Sequence, residues 1–396
     1  MQDFTKAFMG KNFKMVAKTL YGLEELLLQE LRQLGASDIE KGVRNVSFSG
    51  DQGFMYKANL CCRTAIKILM PITSFNVFTE EDIYKKVYAI PWENYMEKDG
   101  SLAVDATVFS KQFTHSQYVA LKTKDAIVDR FRDKEGERPD VDLDHPTLRV
   151  NLHIDRNICT VSLDSSGKSL HKRGYKVSST LAPINEVLAA GLIMLSGWNG
   201  QCNFLDPMCG SGTILTEAAM IACNIPANLN RDEFGFETWP DFDADLYEVI
   251  ENAALKKIRD FRFKIVGFDK DPVAIKKTKE NIQNANLSDF ISVSTQDFFE
   301  TKKETEGPMH IVFNPPYDER LQVNTEELYA NIGTTLKHKY PGTQAWMITS
   351  NMEALKHVGL RPSRKIKLFN GKLEARFVRY EMYEGSKKAK KQTSIS

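Results

Sequence analysis

This 396-residue chain is short of cysteine, of long apolar runs and of net charge, and each shortage excludes something. Its six cysteines, Cys61, Cys62, Cys159, Cys202, Cys209 and Cys223, form no C-x-x-C pair. Neither a disulfide framework nor a zinc site follows from that spacing, so the thiols are expected to be buried and reduced, and no metal is expected. No apolar run approaches the roughly 18 residues that cross a bilayer, and the opening Met1-Gln2-Asp3-Phe4 lacks the core of a signal peptide. The sequence therefore predicts a soluble, cytoplasmic protein with no membrane partner. A net charge of +1 argues against a simple polyanion sponge. Positive charge is expected to concentrate in residues 166–180, which carry four Lys/Arg and no acid, and in the tail 386–396, which carries four Lys.

What is present is a core-forming composition, 42% hydrophobic, with alternating strand and helix patterns. Residues 13–20 read as a strand. Leu23, Leu26, Leu27, Leu31 and Leu34 then fall on one face of a helix that Gly35 ends. A strand at 43–48 and a helix at 52–67 complete a small α+β unit. A second unit follows: Thr79 caps a helix over 80–89, strand 102–109 comes next, Ser116 caps a helix over 117–132, and strands 147–153 and 158–163 turn at Asp155-Arg156-Asn157. Between strand and helix, Lys111 lies in a polar run with Phe113 and Tyr118. Such a run is an ordinary loop by default, and a nucleic-acid contact otherwise.

Beyond residue 182 the pattern becomes β-α-β-α. A helix covers 187–196, and Phe204-Leu205-Asp206 runs into the turn Gly210-Ser211-Gly212 and a helix opening at Thr213. Residues 225–248 form a polar, aromatic-bearing insertion, with a helix at 247–261. Strands at 264–268, 290–293, 309–313 and 345–349 follow, then a hairpin at Asn370-Gly371. A mostly parallel sheet with an antiparallel edge is expected. Asp206, Asp269 and Asp297 each sit just past consecutive strands, the edge where such sheets bind ligands. A carboxylate after the second strand suits a ribose diol, and one after the third an adenine amine. Asp269 lies 57 positions past Gly212, whereas a dinucleotide fingerprint wants its acid about 20 on. That weakens a dehydrogenase reading. Asp271, before Pro272, reads as a helix cap.

The fourth strand ends in Asn314-Pro315-Pro316-Tyr317. The prolines fix the backbone so that the Asn314 amide oxygen and the Pro315 carbonyl can accept both hydrogens of an exocyclic amine, with Tyr317 stacking on its ring. Held by two acceptors, the nitrogen moves toward tetrahedral geometry and frees its lone pair for a methyl sulfonium. As a bare tetrapeptide it could equally be a tight turn. Cys209 could serve a C5-pyrimidine reaction as nucleophile, but its place in the glycine turn would face it toward cofactor and away from a base. Within 166–181, His171, Lys172, Arg173 and Lys176 beside Tyr175 suit phosphate contacts and base stacking, although an interdomain linker can be basic without function.

Phe204 to Thr213, Asn314 to Tyr317 and the terminal hairpin resemble a class I S-adenosylmethionine-dependent methyltransferase. The first 165 residues, Ser169-Leu170-His171-Lys172-Arg173-Gly174-Tyr175, and Ala182-Pro183 with Glu186 resemble the ferredoxin-like and THUMP modules of bacterial 23S rRNA guanine-N2 methyltransferases of the RlmL-like type. The resemblance implies a doubly wound, seven-stranded α/β sheet at 182–385, preceded by a ferredoxin-like module at 1–70, a THUMP module at 71–165 and a basic linker at 166–181. It implies S-adenosylmethionine held by Asp206, Pro207, Cys209, Gly210, Gly212, Thr213, Asp269 and Asp297, and a guanine held by Asn314, Pro315, Pro316 and Tyr317. The implied partner is 23S rRNA before or during subunit assembly, without an obligate protein partner. Some such enzymes carry a second methyltransferase domain; with the chain ending at 396, that activity is expected to be absent. Adenine-N6 methylation of RNA or DNA, or a non-catalytic assembly factor on the same fold, stay open as alternatives.

Overall fold

The computed structural model describes residues 11–179, 183–316 and 324–383, and divides into two compact units. The expected tail at 386–396, Tyr317 and Ala182 lie outside the described residues. Among those described, no helix is long and apolar enough to cross a membrane.

The first unit takes in Met1–Thr19, Leu27–Lys172 and Arg231–Ala254. In chain order its elements are β1 (Phe13–Thr19), α1 (Glu24–Leu34, which starts outside the unit), β2 (Ser37–Lys41), β3 (Asn45–Gly50), α2 (Gln52–Cys61) and β4 (Ala65–Asn76), followed by α3 (Glu80–Tyr88), β5 (Ser101–Phe109), α4 (Ser116–Glu135), β6 (Asp140–Val141), β7 (Leu148–Asp155) and β8 (Ile158–Asp164). All eight strands form one sheet in the order β2-β3-β1-β4-β8-β7-β5-β6. β4 joins the two α+β patterns: its start pairs with β1 and its length with β8. The helix expected over 52–67 stops at Cys61, because β4 begins at Ala65. Pro71 hides that strand from a periodicity argument. It cannot donate to the ladder, and the register shifts between Pro71 and Thr73. The Thr79 cap is present as a reciprocal box with Asp82. Ser116 is not a cap; the position before α4 is His115, and its side chain makes no capping bond.

The second unit takes in Leu20–Leu26, Arg173–Asn230 and Leu255–Ser396. The rest of the chain runs α5 (Glu186–Ser196), β9 (Asn203–Asp206), α6 (Thr213–Ala222), α7 (Ala244–Leu255), β10 (Ile265–Asp269), α8 (Pro272–Asn284) and β11 (Ile291–Thr295), then β12 (Met309–Phe313), α9 (Thr325–Lys339), β13 (Thr343–Thr349), β14 (Arg364–Asn370) and β15 (Leu373–Glu381). The seven strands from β9 onward order as β11-β10-β9-β12-β13-β15-β14, parallel up to β13 and antiparallel in the last two. This is the doubly wound sheet with a terminal hairpin that the sequence implies. Asn370 pairs with Leu373, so the hairpin turns at Gly371-Lys372, one residue later than expected.

The insertion departs from its sequence neighbours. Residues 231–254, with all of α7 but its last residue, belong to the first unit, where Phe234, Phe236 and Trp239 join the core. Phe236 stacks on Tyr56 with ring centroids 4.4 Å apart, and Gln52 donates to the Asp241 carbonyl at 2.6 Å. Arg231 reaches the carbonyls of Ser166, Lys168, Ser169 and Lys172 while its guanidinium lies 5.2 Å from the Phe234 ring. Gly235 cannot carry a side chain, since a Cβ there would sit 2.6 Å from the Asp164 carbonyl oxygen. A strand-helix domain at 182–385 is therefore interrupted by a segment that completes the core of the other unit. Phe236→Ala should cost the first unit about 3 kcal/mol or more, read as a lowered urea midpoint.

Candidate functional site

Strand order decides where this site lies. From β9 the chain winds outward through β10 and β11, then returns to place β12 on the other side of β9. Loops leaving the carboxyl ends of β9 and β12 diverge at that reversal and leave a crevice, the general ligand position in open α/β sheets. Those two loops are residues 207–212 and Asn314-Pro315-Pro316.

The first loop is tightly pinned. Gly210 and Gly212 have φ of +56° and +79°, which only glycine adopts freely. A Cβ on Gly212 would lie 2.6 Å from the Thr278 methyl. From α8, Thr278 donates to the Gly210 carbonyl at 2.7 Å and Asn281 donates to the Ser211 carbonyl at 2.9 Å. From β10, the Phe268 carbonyl accepts from Cys209 N–H at 2.8 Å, and the Asp269 carboxylate accepts from Gly210 N–H at 2.9 Å. The loop thus presents its backbone and the start of α6 to the crevice in one conformation. Nothing in the sequence pattern singled out Thr278 and Asn281, although polar residues three apart beside the apolar Ile275 and Ile282 of α8 were a usable signal.

Asp269 also accepts from Asp271 N–H at 2.9 Å through its other oxygen. Each oxygen keeps a second lone pair, so the carboxylate can still accept from a diol. Asp271 caps α8 through Val273 N–H at 2.8 Å, as its position before Pro272 suggests. Asp297 is exposed and caps a 3-10 turn through Phe299 N–H at 2.9 Å, leaving its second oxygen for a ligand. Asp206 is 1% exposed and accepts from Met208 N–H at 3.2 Å. Burial, and then the negative charge of Asp269, push its carboxyl well above the usual range. Pro207 is buried beside it, and the Thr213 hydroxyl is enclosed with no hydrogen-bond partner among the described residues. Burial and the two carboxylates likewise raise the Cys209 thiol well above its ordinary value, which keeps it protonated and unsuited to nucleophilic attack.

At the end of β12, Asn314 is half-buried, Pro315 buried and Pro316 half-buried. The Asn314 side-chain oxygen is shielded from solvent and has no hydrogen-bond partner among the described residues. An enclosed acceptor without a donor is costly for folding alone, by about 1–3 kcal/mol. It is what a site built to receive an N–H group contains.

The basic segment 166–181 is not the free cationic patch its composition implied. Arg173 is 1% exposed, with its Nε 3.4 Å from Glu217 and an amino group donating to Asn228 at 3.0 Å. The Tyr175 hydroxyl, equally buried, donates to the same Glu217 oxygen at 3.1 Å, and burial with Glu217 holds its pKa well above the ordinary tyrosine value. Lys176 pairs with Glu186 at 2.6 Å. Arg173 and Tyr175 therefore cannot meet phosphates or bases, because a buried acid on α6 claims them; only a partner in the apolar run Ile214 to Ala222 could have shown this. Lys172 and Lys111 are exposed, and His171 is half-buried. Among the described residues no group of His, Cys, Asp or Glu is arranged to hold a metal.

Known proteins resemble the chain over these same parts. A family model described as an RMKL-like methyltransferase domain matches residues 173–379, a THUMP domain model matches 78–164, and an RlmL ferredoxin-like domain model matches 14–69. A ribosomal RNA large subunit methyltransferase K/L of Syntrophotalea carbinolica is 38% identical over 95% of this chain and 54% of its own length. The chain thus spans about half of that relative, and 50% of its counterpart in Cellvibrio japonicus. A Synechocystis sp. protein described as an RNA methyltransferase is 35% identical over 96% of this chain and 99% of its own. A solved structure described as a methyltransferase complexed with SAH, SMU.472, superposes with a TM-score of 0.83 at 29% identity, over 96% of this chain and 100% of that one.

Two outcomes follow from the buried acids. Asp206→Asn keeps the bond from Met208 and removes a carboxylate forced up in pKa, so the free protein should melt at a higher temperature at neutral pH. Because the folded pKa is raised, the gain should shrink as pH falls through the folded value and vanish below about 4, where aspartate is protonated folded and unfolded alike; melting scans across pH read it. Arg173→Met removes the cation beside buried Glu217 and should cost about 3–5 kcal/mol of stability by denaturant titration.

Proposed function

The chain belongs to the RMKL-like methyltransferase family, and from that premise we propose that it methylates the exocyclic N2 amine of a guanine in large-subunit ribosomal RNA, with S-adenosylmethionine as donor. The observation that carries this reading is the enclosed Asn314 oxygen, without a hydrogen-bond partner among the described residues, one strand away from the glycine loop at the topological reversal. The residues fit the donor. Gly210 and Gly212 let a ligand approach the backbone, and the free N–H groups opening α6 suit its carboxylate. Asp269 has lone pairs left for a ribose diol. Asp206 is a buried acid that a cationic ligand would stabilise in its charged form.

When bound, S-adenosylmethionine supplies an electrophilic methyl group on a positively charged sulfur. The protein's task is then to aim an amine at it. The Asn314 oxygen and Pro315 carbonyl would accept the two N2 hydrogens, orienting the lone pair along the line of transfer, and Tyr317 would stack on the base. No nucleophilic side chain is needed, which agrees with a protonated Cys209. The front unit, with its THUMP match, would grip the RNA; Lys111, Lys172 and His171 remain candidate contacts there. An adenine amine could be held by the same two acceptors, and the modified nucleoside itself decides between them.

Asn314→Ala should leave cofactor affinity unchanged by calorimetry while lowering methyl transfer to a 23S rRNA transcript by roughly 10²–10³-fold. Asp269→Ala should mainly weaken cofactor binding. Equal loss of cofactor affinity in both variants would contradict the division of roles. Nucleoside mass mapping of the methylated transcript should return N2-methylguanosine; N6-methyladenosine would replace that part of the reading.

A further inference from the structure

We propose that the terminal hairpin, β14 and β15, is a second nucleic-acid contact that holds the sugar-phosphate backbone beside the base presented at Asn314. This rests on the RNA reading above and adds an element to it. The charge is here: between Arg361 and Arg379 the chain carries seven Lys/Arg and one acid, Glu374, while the whole molecule is only +1. Three of those cations have carboxylate partners, Lys367 and Arg376 on Glu374 and Arg379 on Glu381. The other four, Arg361, Arg364, Lys365 and Lys372, are exposed and form no ion pair with a described residue.

Register supplies an independent argument. Arg364 lies directly opposite Arg379, and Lys367 directly opposite Arg376. Like charges facing each other across a strand pair destabilise it. Glu374 bridges Lys367 and Arg376, and Glu381 holds Arg379; Arg364 is left facing a cation with no carboxylate of its own among the described residues, as expected of a residue placed for a polyanion. Position completes the case. β15 sets Arg376 opposite Thr349, at the carboxyl end of β13, and the parallel register puts Asn314 just past Phe313, opposite Met347. The hairpin's turn at Gly371-Lys372 therefore projects on the same edge of the sheet as the Asn-Pro-Pro loop. β12 and β14 are three strand spacings apart, about 14 Å. Nucleotides flanking a base held at Asn314 pass within reach of that turn, and β14 offers cations from mid-sheet to the rim.

A basic edge strand has a second explanation, since lysines there discourage edge-to-edge aggregation. Salt dependence separates the two. In the full chain, Arg361, Arg364, Lys365 and Lys372 are replaced together by Gln, and binding to a protein-free 23S rRNA transcript is measured from about 50 to 200 mM salt. Weaker binding is expected, with the slope of log K against log salt reduced by about 0.7 for each phosphate no longer neutralised, and unchanged affinity for S-adenosylmethionine. The single variant Arg364→Gln guards against misfolding: it relieves the repulsion with Arg379, so it should melt no lower than wild type and still weaken binding. A slope equal to wild type in the fourfold variant overturns the inference and returns the hairpin to edge shielding. Wild-type protein that does not bind the transcript overturns the RNA reading itself.

Discussion

The Asp269 carboxylate holds the site together before any ligand arrives. By accepting from Gly210 N–H it ties the end of β10 to the glycine loop after β9, and by accepting from Asp271 N–H it shapes the entry to α8. α8 in turn fixes the same loop through Thr278 and Asn281, which donate to its carbonyls. A loop of positive-φ glycines would otherwise lose much conformational entropy on binding. Here that entropy is lost on folding, so a ligand meets a preformed cradle.

Such a cradle carries its own destabilising elements. Asp206 is enclosed near another acid, and the Asn314 oxygen and Thr213 hydroxyl are enclosed without hydrogen-bond partners among the described residues. Each is unfavourable in the free protein and becomes favourable only with a cation or N–H group beside it. They lie at the strand reversal, where sheet topology already demands a crevice. Enclosed polar atoms without partners also occur elsewhere among the described residues, Thr123 and Trp239 among them; what sets these three apart is their place at the reversal, on or beside the two loops that flank one crevice.

The local signals that proved readable were those whose cause lies within a few residues. The Thr79 cap, the Asp271 cap, the glycine turn and the end of β12 before Asn314-Pro315 each follow from backbone chemistry over three or four positions. What could not be read depends on partners far along the chain. β4 was concealed because Pro71 breaks its alternation, and its two neighbours, β1 and β8, lie on opposite sides of it in sequence. The insertion 231–254 looks like part of the domain that surrounds it until Phe236 is seen on Tyr56. Nor did the pattern show α9, whose Leu328, Ile332 and Leu336 are spaced for a helix.

Charge was misread for the same reason. Composition marked 166–180 as basic, yet whether a cation is free depends on acids elsewhere: Glu217 takes Arg173, and Glu186 takes Lys176. The hairpin has the opposite character. Its cations alternate with apolar residues, so no dense run announces them, and pairing the two strands brings them together in facing positions. The segment whose composition is basic holds a buried ion pair, while four hairpin cations, Arg361, Arg364, Lys365 and Lys372, are exposed without an ion pair to a described residue. Whether a cation can meet a polyanion is thus set by which charges the fold leaves without a partner, and composition alone does not show that.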